Sequence, residues 1–142
     1  MSRTRSHTRK LIVTFSTLLL AGVAPLSPAR SADTSAAAEL ERWAAQAGRS
    51  ADAERGRAFF SSTHGREWSC ASCHGSPPSK PGRHAETGKS IYILAPGPDT
   101  RAFTRRDKVD KWFRRNCNDV LARECTAAEK ADLIAYLISV QR

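Results

Sequence analysis

Cys70-Ala71-Ser72-Cys73-His74 constrains this chain more than any other stretch. A C-x-x-C-H run is the pattern by which a polypeptide takes a haem covalently, through two thioether bonds, and presents an imidazole to the iron. Two intervening residues set the thiols at the separation of the haem vinyl groups, and the adjacent histidine can swing beneath the ring. Cys70 and Cys73 are therefore the expected attachment points of one haem c, with His74 the proximal iron ligand. A bare C-x-x-C also serves thioredoxin-type redox pairs and zinc sites. The first wants a βαβ context and the second a matching pair of ligands, and the sequence offers neither.

Residues 1–31 read as a secretory signal peptide. Arg3, Arg5, Arg9 and Lys10 precede an apolar run from Leu11 to Ala24, and Ser27-Pro28-Ala29-Arg30-Ser31 makes a small-residue exit. The run falls short of the ~20 apolar residues of a spanning helix, so cleavage near Ala29 to Ala32 is expected rather than a membrane anchor. No twin arginine pair is present, which suits export of an unfolded chain and haem attachment after translocation. The expected compartment is the bacterial periplasm. Cleavage removes five of 23 Lys and Arg and none of 14 acids, lowering the net charge from +9 to +4. Such a balance gives no reason to propose a nucleic-acid partner. The roughly 111 residues left make one domain, which buries only about two thirds of its surface, and an enclosed haem would supply core that the chain lacks.

Residues 32–51 are alanine-rich, with Leu40, Trp43, Ala44 and Ala47 at helical spacing before Gly48. They read as a short helix or half-ordered arm in which Trp43 packs. The domain proper, 52–142, opens with a helical stretch from Asp52 to Ser61 that sets Gly56 and Phe60 four apart. That pair resembles the helix ahead of the attachment motif in class I c-type cytochromes, where a small residue and an aromatic meet the C-terminal helix. An ordinary amphipathic helix is equally compatible. Thr126-Ala127-Ala128-Glu129 is a capping box, opening a last helix with Leu133, Ile134, Tyr136, Leu137, Ile138 and Val140 on its apolar side. The expected fold is all-α, a class I cytochrome c: a small helical domain wrapped around one covalent haem.

Proline and glycine are too dense between residues 75 and 100 for long helices, so a loop region over the haem is expected. Ile91 to Leu94 is its one apolar run, predicted to line the haem crevice rather than form a strand, since no partner strand is visible. From Thr104, read as a cap, a helix is predicted to Arg115 with Val109, Trp112 and Phe113 on one face. Its other face is basic, with Arg101, Arg105, Arg106, Lys108, Lys111, Arg114 and Arg115. Those cations read either as a solvated face or as a docking surface for an acidic redox partner or for haem propionates.

The sixth iron position follows by elimination. Small electron carriers usually place methionine there, but Met1 is the only methionine and leaves with the signal. His64, His84, a lysine, a weaker oxygen donor or an empty site remain. His64 lies so near the motif that it reads as a solvated loop residue, whereas His84 would give bis-histidine ligation. Cys117 and Cys125 are an even remainder in an oxidising compartment and are expected to form a disulfide. A loop that small contributes roughly 2 to 3 kcal/mol in the chain-entropy account. It would hold Asn116-Cys117-Asn118-Asp119 as a turn between the basic helix and the last one.

Lys111-Trp112-Phe113-Arg114-Arg115-Asn116-Cys117-Asn118-Asp119-Val120-Leu121, continued by Arg123-Glu124-Cys125-Thr126, closely resembles the signature of the sphaeroides haem protein family, the high-spin class I cytochromes c. Pro81-Gly82-Arg83-His84 and Thr87-Gly88-Lys89 extend the likeness, which covers Gly56 to the C-terminus and leaves residues 35–47 outside. The resemblance implies that Asn116 is the distal iron ligand and that Cys117 and Cys125 are paired. It further implies a ferrous haem that binds dioxygen or nitric oxide, and a dihaem cytochrome c as redox partner. Read from the residues alone, Asn116 is a helix C-cap. An amide oxygen is a weak, hard donor that ferric iron accepts better than ferrous, so reduction would loosen it. Two other readings stay open: a plain electron carrier ligated by His74 and His84, and a haem enzyme acting on a nitrogen oxide, hydroxylamine or dioxygen.

Overall fold

A computed structural model describes residues 34–141 of the 142-residue chain. The signal peptide expected at residues 1–31 lies outside the described residues. In chain order the elements are α1 (Ala36–Ala47), α2 (Ala53–Ser61), α3 (Cys70–His74), β1 (Gly82–Arg83), β2 (Ser90–Ile91), α4 (Arg106–Leu121) and α5 (Ala127–Ser139). No helix among the described residues is long and apolar enough to cross a membrane.

The core is built on α5, whose Ala131, Leu133, Ile134, Tyr136 and Leu137 are all buried. It starts where the sequence said: the Thr126 hydroxyl accepts the Glu129 N–H while the Glu129 carboxylate accepts the Thr126 N–H. Both α1 and α2 pack against it. The α2 crossing is close because Gly56 has no side chain, and a Cβ there would overlap the Asp132 carbonyl. One turn on, Phe60 is 1 % exposed and its ring lies 5.4 Å from that of Tyr136. Asp132 locks the same crossing. Its carboxylate accepts the Asp52 N–H at 2.7 Å and pairs with the guanidiniums of Arg49 at 2.7 Å and Arg55 at 3.0 Å.

The segment from Ser35 is a well-formed helix rather than an arm, capped by the Ser35 hydroxyl and closed by Gly48 in the left-handed region. Its Glu39 is wholly buried yet charged. Burial alone would raise that carboxyl, but the Thr34 hydroxyl at 2.7 Å and the guanidiniums of Arg42 and Arg106 outweigh it and hold the pKa below the usual value. Since Arg106 belongs to α4, this carboxylate ties α1 to α4. Trp43 packs as expected, edge-on to Phe113 at 6.3 Å, with Arg42 and Lys130 cations each 4.0 Å from its ring centroid.

Three local expectations need correction. The basic helix does not end at Arg115 but runs to Leu121, closed by Ala122 in a left-handed conformation. It starts after Arg105, which makes no side-chain cap, while the Thr104 hydroxyl donates instead to the Arg101 carbonyl. Within it Val109 is buried and Trp112 is 49 % exposed. Ile91 does have a strand partner: β1 and β2 pair antiparallel, Gly82 with Ile91 and Arg83 with Ser90. Tyr92, next in the chain, is exposed.

Candidate functional site

The attachment motif is a helix of its own. Ser69 caps it with a reciprocal pair of hydrogen bonds, its hydroxyl accepting the Ser72 N–H at 3.1 Å and its N–H donating to the Ser72 hydroxyl at 3.0 Å. In helical register Cys70 and Cys73 fall three apart and Cys70 and His74 four apart, so the two thiols and the imidazole share one face. The short hairpin of β1 and β2 clamps this helix from outside. A Cβ on Gly82 would overlap the Cys73 carbonyl, and the Ala85 N–H donates to the Cys73 sulfur at 3.2 Å.

His74 packs 6.5 Å from Phe60, ring to ring, and burial lowers its pKa, keeping the neutral imidazole that binds metals. Its Nδ1 is buried with no hydrogen-bond partner among the described residues. A buried, neutral imidazole fits the role of an iron ligand. Burial pushes the Cys70 thiol up to about 11. A thiol that reluctant to ionise is a poor thioredoxin-type nucleophile, and the half-buried setting suits a thioether sulfur. Two clefts flank the motif, one of about 400 Å³ lined by Cys73, Gly82 and Arg83, the other of about 320 Å³ lined by His74, Pro77 and Pro81. Cys73 and His74 thus border open space rather than packed core. In donor chemistry and surroundings the motif fits haem c.

Asn116 lies on a different element, half-buried in the penultimate turn of α4 and one turn beyond Trp112. It is neither a cap nor part of a turn, and its side chain is aimed by helical backbone. Cys117 and Cys125 form a disulfide, with both residues 5 % exposed and their α-carbons 5.5 Å apart. This bond fastens the last turns of α4 to the segment ahead of α5 instead of closing a turn. α3 packs on α2 and β1, so the two halves of the expected ligand set come from different helices.

The other two histidines are engaged locally. The His64 ring stacks on Phe59 at 4.3 Å and its Nε2 donates to the Phe59 carbonyl at 2.9 Å. His84 sits at the hairpin tip, where its backbone holds Lys89 and Gly88 and its Nδ1 accepts the Thr87 N–H at 3.3 Å. Sequence reasoning missed the hairpin clamp and the Ser69–Ser72 box. The serine spacing was a usable signal for the box, whereas nothing local announces that Gly82 lies against Cys73.

Comparison with known proteins places these features. Residues 46–137 match a family described as a domain of unknown function, DUF1924. The cytochrome c-type protein SHP of Cereibacter sphaeroides is 47 % identical over 114 residues, 78 % of this chain and 88 % of that protein. Cytochrome c'' of Methylophilus methylotrophus is 45 % identical over 80 residues, 56 % of each chain. Among solved structures, oxidised SHP, described as an oxygen-binding cytochrome c, superposes with a TM-score of 0.69 at 46 % identity, over 76 % of this chain and 99 % of that one. Oxidised cytochrome c'' superposes with a TM-score of 0.62 at 36 % identity, over 73 % and 93 %. A solution structure of the same cytochrome c'' is described in terms of haem-ligand detachment.

Proposed function

Because this chain belongs to the DUF1924 family and to the SHP family, monohaem class I cytochromes c with an all-α fold and one haem c, we propose that it is a periplasmic electron acceptor with a displaceable distal ligand. In this reading Cys70 and Cys73 hold the haem, His74 is the proximal ligand and Asn116 the distal one. The haem would supply a redox-active iron.

The observation that carries the reading is the placement of Asn116. It is the half-buried carboxamide of a helix fixed from both sides, by the Glu39–Arg106 pair near its start and the Cys117–Cys125 disulfide near its end. Meanwhile the Nδ1 of His84 is engaged locally at the hairpin tip by the Thr87 N–H. His74 supplies a neutral nitrogen that binds iron in either oxidation state. The Asn116 oxygen, a weak hard donor, would be held by ferric iron better than by ferrous, and its release on reduction would leave room for a small diatomic such as dioxygen or nitric oxide. SHP is described as oxygen-binding and cytochrome c'' as undergoing haem-ligand detachment, and both descriptions agree with a ligand that leaves. A dihaem cytochrome c is the proposed electron donor. Residues 1–31 are proposed as a cleaved export signal, residues 32–51 as an N-terminal helical extension and residues 52–142 as the cytochrome domain.

Absorption spectra of the purified haem-loaded protein test the reading. The ferrous form is expected to be high-spin and to shift on addition of carbon monoxide, and Asn116→Ala is expected to alter the ferric spectrum. A low-spin ferrous spectrum indifferent to carbon monoxide, together with an unchanged ferric spectrum in the variant, would sink the assignment.

A further inference from the structure

The cations of α4 fall into two groups that the structure treats differently. Arg106 is spent inward on Glu39, and Asp110, on the same side, takes Arg42 of α1. On the outer side Lys108, Lys111, Trp112 and Arg115 fall at intervals of three, four and seven residues, one continuous stripe along the helix. All four are exposed. Lys108 and Lys111 form no ion pair among the described residues, and Arg115 reaches only Asp119 at 3.8 Å, an exposed contact of little energetic consequence. Like charges at this spacing repel, so the stripe costs the helix stability that a merely solvated face would not need to give up. In its midst Trp112 leaves half its surface in water, with the Arg115 guanidinium 5.8 Å over its ring. Exposed Trp and Arg ringed by like charge are the composition of a protein-docking surface rather than of a solvated helix.

We propose that the Lys108, Lys111, Trp112, Arg115 stripe of α4 is the docking site of an acidic one-electron carrier protein, through which the haem is reduced. This rests on the reading of Asn116 as the distal ligand. Trp112 precedes Asn116 by four residues, about 6 Å along the helix, so a partner seated on the stripe stands one turn from the iron's distal side. The complementary charge speeds and orients encounter, while Trp112 supplies the apolar contact that retains the partner. One electron leaves the carrier, which is oxidised, and the ferric haem is reduced to ferrous, with no bond made or broken.

The test uses the haem-loaded ferric protein, nitrogen-15 labelled, titrated with an oxidised plant-type ferredoxin as the acidic probe. Chemical-shift changes are expected on the stripe, including the Trp112 indole. The double variant Lys108→Glu, Lys111→Glu should weaken binding at least tenfold at low salt and flatten its salt dependence. Trp112→Ala should weaken it with the salt dependence retained. The rate of reduction by reduced ferredoxin should fall in parallel, while the carbon monoxide spectrum of the double variant matches the wild type. Absence of saturable binding, shifts centred on another face, or a less than twofold effect of charge reversal would overturn the proposal. So would tighter, competing binding of a mixed-sequence single-stranded DNA dodecamer at the same residues. The carbon monoxide spectrum separates the two ideas, because it depends on Asn116 and not on the stripe.

Discussion

Asp132 shows how much a single carboxylate can hold together at the residue scale. It is 4 % exposed, and burial by itself would raise its pKa, but Arg49, Arg55 and the Asp52 N–H together bring it from the usual 3.8 to about 2. A folded pKa below the unfolded one means stability that is complete above about pH 4 and drains away as pH falls toward 2. A depression of that size corresponds to about 2 kcal/mol, reduced toward 1 kcal/mol because solvent reaches both arginines. Denaturant unfolding between pH 5 and pH 2 is expected to show this loss in the wild type and not in Asp132→Asn. An equal acid loss in the variant would place the sensitivity elsewhere. None of this was legible in the sequence, where Asp132 and Arg49 stand 83 residues apart. The residues proposed to attach the haem stand out in the sequence because their chemistry dictates their spacing within five consecutive positions.

Elements with strong terminal signals were read correctly, and those held by distant contacts were not. The Thr126 capping box fixes where α5 begins, and local sequence carries it. The end of α4 was misplaced because Asn116, Asn118 and Asp119 are weak helix formers whose side chains compete with the backbone. The disulfide to Cys125 and the packing of Val109 and Phe113 override that preference. The Gly56 crossing makes a sharp prediction at this scale. Gly56→Ala puts a methyl group against the Asp132 backbone, so the helices must part, at an expected cost of about 3 kcal/mol or more. Gly48→Ala meets no neighbour and bears only the strain of its φ of +65°, about 1 to 2 kcal/mol. Guanidinium midpoints of the two haem-loaded variants should rank in that order, and equal midpoints would mean that the crossing is looser than described.

At the scale of the whole molecule, α3 and α4 are each stapled to the rest by a different device. α3 is gripped by the β1–β2 hairpin and by α2, and α4 by Glu39 of α1 at one end and the Cys125 disulfide at the other. The helical class and the attachment motif could be read along the chain. The role of α1 as a brace for α4 could not, because it depends on a buried carboxylate meeting an arginine 67 residues away. In the proposed arrangement the proximal ligand would sit on one held element and Asn116 on the other, so the distal donor could leave without the fold opening. The most direct test is the rate at which carbon monoxide binds the ferrous protein when Asn116 is replaced by histidine. The account predicts a bis-histidine, low-spin iron in both oxidation states and a binding rate at least a hundredfold slower than wild type, limited by histidine dissociation. A rate and spectrum unchanged by Asn116→His would contradict it, because a residue away from the iron has no means of blocking the site.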